Sequence, residues 1–348
     1  MQDITNIREA SKESLIEFFN EIGEKPFRLK QLDEWIWAKG INSFEEISNF
    51  SDKLKNALSE KYYFNKTKVS SHLISKDSSE KICFMFSDGK VAEGVLILND
   101  DGRTTACIST QSGCPLNCKF CATGKFGYHR NLFFEEIFDQ VFFLNKLSLT
   151  KHKRKLSNIV FMGMGEPLLN YDNLIRAIDI IISPKYLGFC ASRITVSTVG
   201  IVDKIKLLAD YNNKINLAVS LHATDNISRS RIIPVNEKHN IEKIIGALNY
   251  FYNKSGNLNT IEYILFKDFN DSPQKASELA ELAFKSHSKI NIIQFNPVEN
   301  TPFQRSENKA FNMFIEVLKD KQIVFTIRYS KGEDINAACG QLASKITK

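Results

Sequence analysis

Residues 103–121 read RTTACISTQSGCPLNCKFC, and the fold follows from how this stretch begins and what succeeds it. Its first half is rich in β-branched residues, the composition of a strand. Its second half is a loop led by Gly113 that carries Cys114, Cys118 and Cys121. An amphipathic run, EEIFDQVFFLNKL, comes next, and the same rhythm then recurs five times: SNIVFM with NLIRAIDIII, RITVST with IVDKIKLLA, INLAVSL with IEKIIGALNYFY, TIEYILF with KASELAELAF, and KINIIQF with AFNMFIEVLK. Strands alternating with helices predict a parallel sheet joined by right-handed crossovers. Six units are too few to close an eight-stranded barrel. The expected fold is α/β, an open, partial (β/α)6 barrel over residues 103–330, with its chemistry at the carboxyl ends of the strands.

Upstream, residues 1–65 read as a helical accessory domain: Leu15, Phe18, Phe19 and Ile22 recur at helical spacing, as do Leu29, Leu32, Trp35, Ile36 and Trp37. Trp35 is expected in the core of its helix pair. Residues 66–102 look extended, with KICFMF and EGVLIL flanking Asp88-Gly89 as a short β-hairpin extension. Residues 331–348 form a C-terminal tail.

The chain has 348 residues and a formal net charge of +6, a mild basicity compatible with a nucleic-acid partner. Residues 1–65 hold nine Lys and Arg against twelve Asp and Glu, a net of −3 that leaves +9 for the remainder. Phosphates are therefore expected mainly at the central domain, with Arg28 and Lys30 as local contacts in the helical segment. The basic run Lys151–Lys155 precedes the second strand and is read as a solvated loop away from the chemistry. No export signal and no run of about 18 apolar residues is visible, so a cytoplasmic protein without a membrane segment is expected. Seven cysteines, four of them between Cys107 and Cys121, then suggest metal or redox chemistry rather than a disulfide framework. Cys83 and Cys190 are read as buried fillers.

Three thiolates spaced as Cys114, Cys118 and Cys121 can hold three corners of a cubane cluster and leave one iron open. This is the cluster loop of radical S-adenosylmethionine (SAM) enzymes, with Phe120 before the last cysteine and the open iron taking the amino and carboxylate groups of SAM. The alternative is a structural zinc site completed by His129. Gly163-Met164-Gly165-Glu166-Pro167 ends the second strand, where glycines admit a ligand to the backbone and a carboxylate can bind an ammonium. Ser197-Thr198, Ser220-Leu221-His222 and Asn296-Pro297 end the third, fourth and sixth strands, each either a cap or part of a ligand mouth.

With these residues in place, the chain closely resembles the RlmN family, radical SAM enzymes that methylate carbon-2 of adenosine in 23S ribosomal RNA and in transfer RNA. The resemblance runs from Phe27–Gln31 and Trp35–Trp37 through Cys107–Cys114, Arg130–Leu132 and Gly163–Asn170 to Gly332–Leu342. It implies one [4Fe–4S] cluster per chain on Cys114, Cys118 and Cys121, and two SAM molecules per turnover. SAM ligands carry over onto Gly165, Glu166, Ser197, Ser220, Leu221, His222 and Asn296. Cys339 would carry the methyl group as S-methylcysteine, Cys107 would resolve a transient protein–RNA adduct through a disulfide, and Glu93 would accept the ring proton. For Glu93 the competing reading is a solvated strand carboxylate. A monomer and a low-potential electron donor such as flavodoxin are implied. Other readings are the sister enzyme that methylates carbon-8, a radical enzyme with a small-molecule substrate, and a non-catalytic metal-dependent RNA-binding protein.

Overall fold

The computed structural model describes residues 4–212 and 214–343; the last five residues of the expected tail lie outside this range. In the N-terminal domain β1 (Thr5–Asn6), α1 (Lys12–Glu21), α2 (Pro26–Asp33), α3 (Asp52–Lys61) and β2 (Tyr62–Tyr63) enclose a core of their own. α1 and α3 start on serine caps: Ser11 and Ser51 accept the backbone N–H groups of Ser14 and Leu54. Phe18 and Phe19 are buried, as the spacing predicts.

Both tryptophans pack half-buried against the domain core. Trp35 stays within the domain, where its indole N–H donates to Asn49 and Lys39 lies over the ring. Trp37 instead reaches out of the domain to Phe138 and Phe134, with ring centroids 5.3 and 6.0 Å away. Polar contacts reinforce the joint: Arg8 pairs with Asp139 at 2.7 Å and Asn6 donates to Glu135 at 2.6 Å. Arg28, expected to face RNA, is occupied within the domain by Gln31 and the Asn49 carbonyl, and it lies over Phe50.

The extension is larger than a hairpin. β4 (Glu80–Met85) and β5 (Val91–Leu98) pair around Asp88-Gly89 as predicted, but β3 (Lys68–Ile74) precedes them and pairs with β4. All seven β3 residues are exposed, so the strand has no buried face to mark it in sequence. β5 also pairs with β6 (Thr104–Cys107), which makes the extension continuous with the main sheet.

After β6 a small hairpin, β7 (Gln111–Gly113) and β8 (Tyr128–Asn131), encloses α4 (Ala122–Phe126). Then come α5 (Phe134–His152), β9 (Asn158–Phe161), α6 (Tyr171–Ile182), β10 (Ile194–Thr198), α7 (Val202–Tyr211), β11 (Asn216–Ser220), α8 (Asn226–Ile232), α9 (Ile241–Ser255), β12 (Asn259–Leu265), α10 (Pro273–Lys285), β13 (Ser288–Gln294), α11 (Asn308–Asp320) and β14 (Phe325–Arg328). The sheet order is β14-β13-β12-β11-β10-β9-β6-β5-β4-β3, parallel from β14 to β6 and antiparallel beyond. The partial barrel is therefore open, as expected. β14 adds a seventh parallel strand, unseen in the sequence because no helix follows it.

Local chemistry explains the elements. α6 buries Leu174, Ala177, Ile178 and Ile181, one face at i, i+3, i+4 and i+7. α9 starts where the Asn240 side chain accepts from Lys243 N–H and stops at Gly256, which is left-handed. β12 is buried along its whole length, as a central parallel strand covered on both faces should be. Among the described residues no helix is long and apolar enough to cross a membrane.

Candidate active site

Cys107 ends β6, and the chain beyond it is pinned for close approach to the next loop. Gly113 has φ +82°, and a Cβ there would lie 1.8 Å from the Gly127 carbonyl oxygen. That same carbonyl accepts the Cys114 N–H at 2.9 Å, so only glycine lets the cluster loop start here. Gly165, at φ +98°, lies so close to Gln111 that a Cβ would come within 2.5 Å of it. Gln111 in turn accepts the Glu166 N–H at 2.9 Å. The loop after β9 is thus fastened to the strand that launches the cysteines.

Cys114, Cys118 and Cys121 line one end of a cavity of about 480 Å³, whose wall also includes Gly165, Glu166, Ser197, Ser220 and His222. Cys107 and Cys339 open into the same cavity. Burial pushes the Cys114 thiol up to about 12 and raises Cys118 as well, so ionised sulfur here calls for nearby positive charge. His129, the zinc alternative, packs edge-on against Phe126 and is absent from the wall. Among the described residues no three His, Cys, Asp or Glu converge as a single ion requires.

Glu166 is buried, and its two oxygens accept the N–H groups of Leu168 at 3.1 Å and Val199 at 2.9 Å. Burial outweighs these bonds and pushes its pKa up to about 7. Among the described residues no cation pairs with it, so the carboxylate is placed for a cationic ligand group. His222, in a left-handed conformation with φ 56°, accepts the Ile264 N–H at Nδ1. Burial and the charge of Arg229 hold it neutral, with a pKa lowered to about 3.

Cys339 arrives on the C-terminal segment. Next to it, the Gly340 carbonyl accepts from Ala122 N–H, and the Leu342 carbonyl accepts from the Thr123 hydroxyl. Further back, Asp77 accepts the Gly332 N–H, Asp334 accepts from Ser75 and Lys76, and Lys81 donates to the Asn336 carbonyl. The β3–β4 turn therefore clasps the segment that delivers Cys339, and Lys331–Asp100 at 2.9 Å ties it to the β5–β6 turn. Burial raises the thiols of both Cys107 and Cys339, and Arg328 opposes the rise at each.

Three expected site residues do not reach the wall. Leu221 is fully buried in the second core, with its N–H on the Glu262 carbonyl. Asn296 donates to the Cys339 carbonyl at 3.1 Å, and its own side-chain oxygen is buried without a partner. Glu93 is 4% exposed, paired with Lys81 at 3.4 Å and accepting the Ala343 N–H. It is neither solvated nor on the cavity wall, and its bond to Ala343 puts it beside the residue that follows Leu342, which is on the wall. Its neighbour Gly94 leaves room for the Phe84 ring, 2.9 Å from where a Cβ would stand.

Sequence reasoning missed Glu262 and Arg328, which face the cavity from β12 and β14 and pair at 3.6 Å. A lone glutamate inside the apolar run TIEYILF was the available signal. The basic run is at the surface as read, with Lys151, Lys153, Arg154 and Lys155 exposed, and it is also anchored, since Lys151 and His152 bind the buried Glu80 and Arg154 donates to the Gly102 carbonyl. Cys190, expected to be buried, is exposed.

Comparison with known proteins adds to this geometry. Residues 108–280 match the model of the radical SAM superfamily, and residues 5–63 that of the ribosomal RNA large subunit methyltransferase N-terminal domain. A probable dual-specificity RNA methyltransferase RlmN of Cytophaga hutchinsonii is 43% identical over 98% of this chain and 93% of its own length. A protein of the same name from Thermosipho melanesiensis is 42% identical over 97% of this chain and 98% of its own. A solved radical SAM methyltransferase from Sphaerobacter thermophilus has a TM-score of 0.90 and 34% identity, covering 97% of this chain and 99% of the other.

Proposed function

Since the chain belongs to the RlmN family of radical SAM dual-specificity RNA methyltransferases, we propose that it methylates carbon-2 of a specific adenosine in 23S ribosomal RNA and in transfer RNA. One observation carries this reading: Cys107 and Cys339, from opposite ends of the barrel sequence, open into the cavity that also holds the three-cysteine loop.

The superfamily brings with it a [4Fe–4S] cluster and SAM. The residues fit both. Three cysteines of one loop lining the same cavity suit a cubane with one open iron, and Glu166, buried without a cation among the described residues, suits the SAM ammonium. Cys114, Cys118 and Cys121 would hold the cluster, while Gly165, Glu166, Ser197, Ser220 and His222 would surround SAM. When bound, the reduced cluster supplies the electron that cleaves SAM to a 5′-deoxyadenosyl radical. Leu221 and Asn296 act through their backbone neighbours: Leu221 fixes the end of β11, and Asn296 holds the Cys339 carbonyl.

Carbon-2 of adenine is electron-poor, so it cannot displace a sulfonium methyl group directly. Cys339 solves this by taking a methyl group from SAM as a thiolate and presenting it to the ring. Arg328 favours that thiolate. Cys107, buried in the same cavity, would then attack the sulfur of the Cys339–methylene–RNA adduct, forming the Cys107–Cys339 disulfide as the sulfur–carbon bond breaks. The bonding pair leaves with the methylene carbon on the adenine, which takes a proton, and the step requires a reachable sulfur and an ionised thiol. Glu93 is kept as the proton acceptor: burial raises its pKa, and it meets the ring only when the segment at Leu342–Ala343 shifts. The N-terminal domain, fixed on α5 by Trp37 and Arg8, extends the RNA-binding surface, and a low-potential donor of the flavodoxin type supplies electrons.

The test is nucleoside mass spectrometry of ribosomal and transfer RNA after incubation with reduced, cluster-loaded protein. 2-Methyladenosine in both is expected, and 8-methyladenosine would overturn the assignment.

A further inference from the structure

Arg229 has a fully buried side chain on α8. Its bonds all go to neutral acceptors: the carbonyls of Leu221 (3.1 Å), Ser220 (3.3 Å), Val199 (2.5 Å) and His239 (3.2 Å), and Asn236 Oδ1 (2.8 Å). Among the described residues no carboxylate pairs with it. A buried cation without an anion is costly, and a site that maintains one usually receives its anion from elsewhere. The charge of Arg229 favours ionisation of the Cys118 thiol, which burial otherwise keeps protonated. The placement is built in. α8 ends at Ile232, whose carbonyl accepts the Lys119 N–H at 3.0 Å, and Ile232 and Ile233 pack with Cys118 and Phe120 in one apolar cluster.

We infer that Arg229 is the fixed counter-charge of the cluster held by Cys114, Cys118 and Cys121, and that it keeps the cluster's reduction potential up. The inference rests on the cluster reading above. Three thiolates make an oxidised [4Fe–4S]²⁺ centre net −1, and one added electron makes it −2. A positive charge nearby stabilises the −2 state more than the −1 state, the more so where water is excluded. The same guanidinium grips the carbonyls that end β10 and β11, so the charge cannot swing away and the rim that faces SAM is set at a fixed distance from it. A guanidinium stays charged at neutral pH even when buried.

A mere strut would make the same hydrogen bonds without touching the potential, so the potential is the readout. Full-length, anaerobically reconstituted protein is titrated with dithionite, each cluster taking one electron, and followed by electron paramagnetic resonance without SAM. Arg229→Gln should lower the midpoint by at least the equivalent of a tenfold change in the oxidised-to-reduced ratio, about 59 mV for a one-electron couple. Arg229→Lys should stay near the parent value. Asn236→Asp places a carboxylate against Nη1 while keeping its acceptor, and should lower the midpoint as Arg229→Gln does. It decides the matter alone if Arg229→Gln does not fold. Unmoved midpoints in Asn236→Asp and Arg229→Gln, with cluster content intact, would reduce Arg229 to a strut. Parent protein that takes up no iron and sulfide would instead sink the cluster reading itself.

Discussion

The segments Gly113–Cys121 and Tyr329–Leu342 both deliver cysteines to one cavity, but they are held by different means. The first is knitted mainly from near neighbours, with Cys114 N–H on Gly127, Cys121 N–H on Cys118 and Gly113 seated against Gly127, and has one distant backbone bond, Lys119 N–H on Ile232. The second carries a short turn of its own at Glu333–Ile335, but side chains some 255 residues earlier in the chain hold both ends of that turn, with Asp77 on Gly332 and Lys81 on Asn336. A rigid loop suits a cluster, whose ligands must keep one geometry. A clasped segment suits a residue that must first meet SAM and then RNA, because a few charge-assisted bonds can be broken and remade.

The sharpest way to break this comparison is to remove the cysteines that the two segments bring together. Cys339→Ala should form no S-methylcysteine and no product. Cys107→Ala should still accept the methyl group and attack RNA, then stall as a covalent adduct through Cys339, visible as a ribonuclease-sensitive shift on denaturing gels. Both should keep their iron, which Cys118→Ala should lose together with all 5′-deoxyadenosine formation. Normal turnover by the Cys107→Ala protein would refute the pairing.

A smaller effect is expected from the clasp. Asp77→Ala with Asp334→Ala removes bonds to Gly332, Ser75 and Lys76. Asp334 is exposed and Asp77 only half-buried, so solvent screens these bonds and no more than about one tenfold step in docking is expected. Methyl loading of Cys339 should fall by about that factor at subsaturating SAM, with cluster content unchanged. Equal losses of iron and methyl loading would mean that the two segments are not independently held.

What was legible in the sequence divides along the same line. Cys114, Cys118, Cys121 and the Gly165-Glu166 turn could be read because their geometry is set within a few residues. The alternation of strands and helices could be read because burial imposes a period on each element. Arg328 and Arg229 could not: each acquires its role by facing residues on other strands or loops, and no local pattern records that; Glu262 left only its isolation in the apolar run TIEYILF as a signal. Cys107 and Cys339 stood out as a pair only through family resemblance. The role of Trp37 in joining the domains was not legible, because helical spacing gives a buried face without saying which domain buries it.

The smallest effect concerns two glutamates on neighbouring strands, and it tests whether the extension is itself divided between anchoring and chemistry. Glu80 on β4 is buried and accepts from His72 at 2.6 Å, His152 at 2.5 Å and Lys151 at 2.9 Å. Burial would raise its pKa, but the bonds from Lys151, His152 and His72 outweigh it and hold the carboxyl below its ordinary 4.5. A depressed carboxyl pKa contributes stability above the unfolded value, and that contribution is lost as pH falls through the folded one. Glu93 on β5 shows the opposite balance: burial prevails over Lys81 and raises it. Its contribution is present below about pH 4.5 and disappears as pH rises through its folded pKa. Glu80→Gln should therefore destabilise by roughly 1–3 kcal/mol at pH 7, with the gap narrowing as the pH falls below about 4.5. Glu93→Gln should be neutral or slightly stabilising at pH 7 while losing methylation. Urea titrations of both variants at pH 7 and pH 4.5 give the comparison. A Glu93→Gln protein as destabilised as Glu80→Gln, with the same pH trend, would make Glu93 a second anchor and remove it as the proton acceptor.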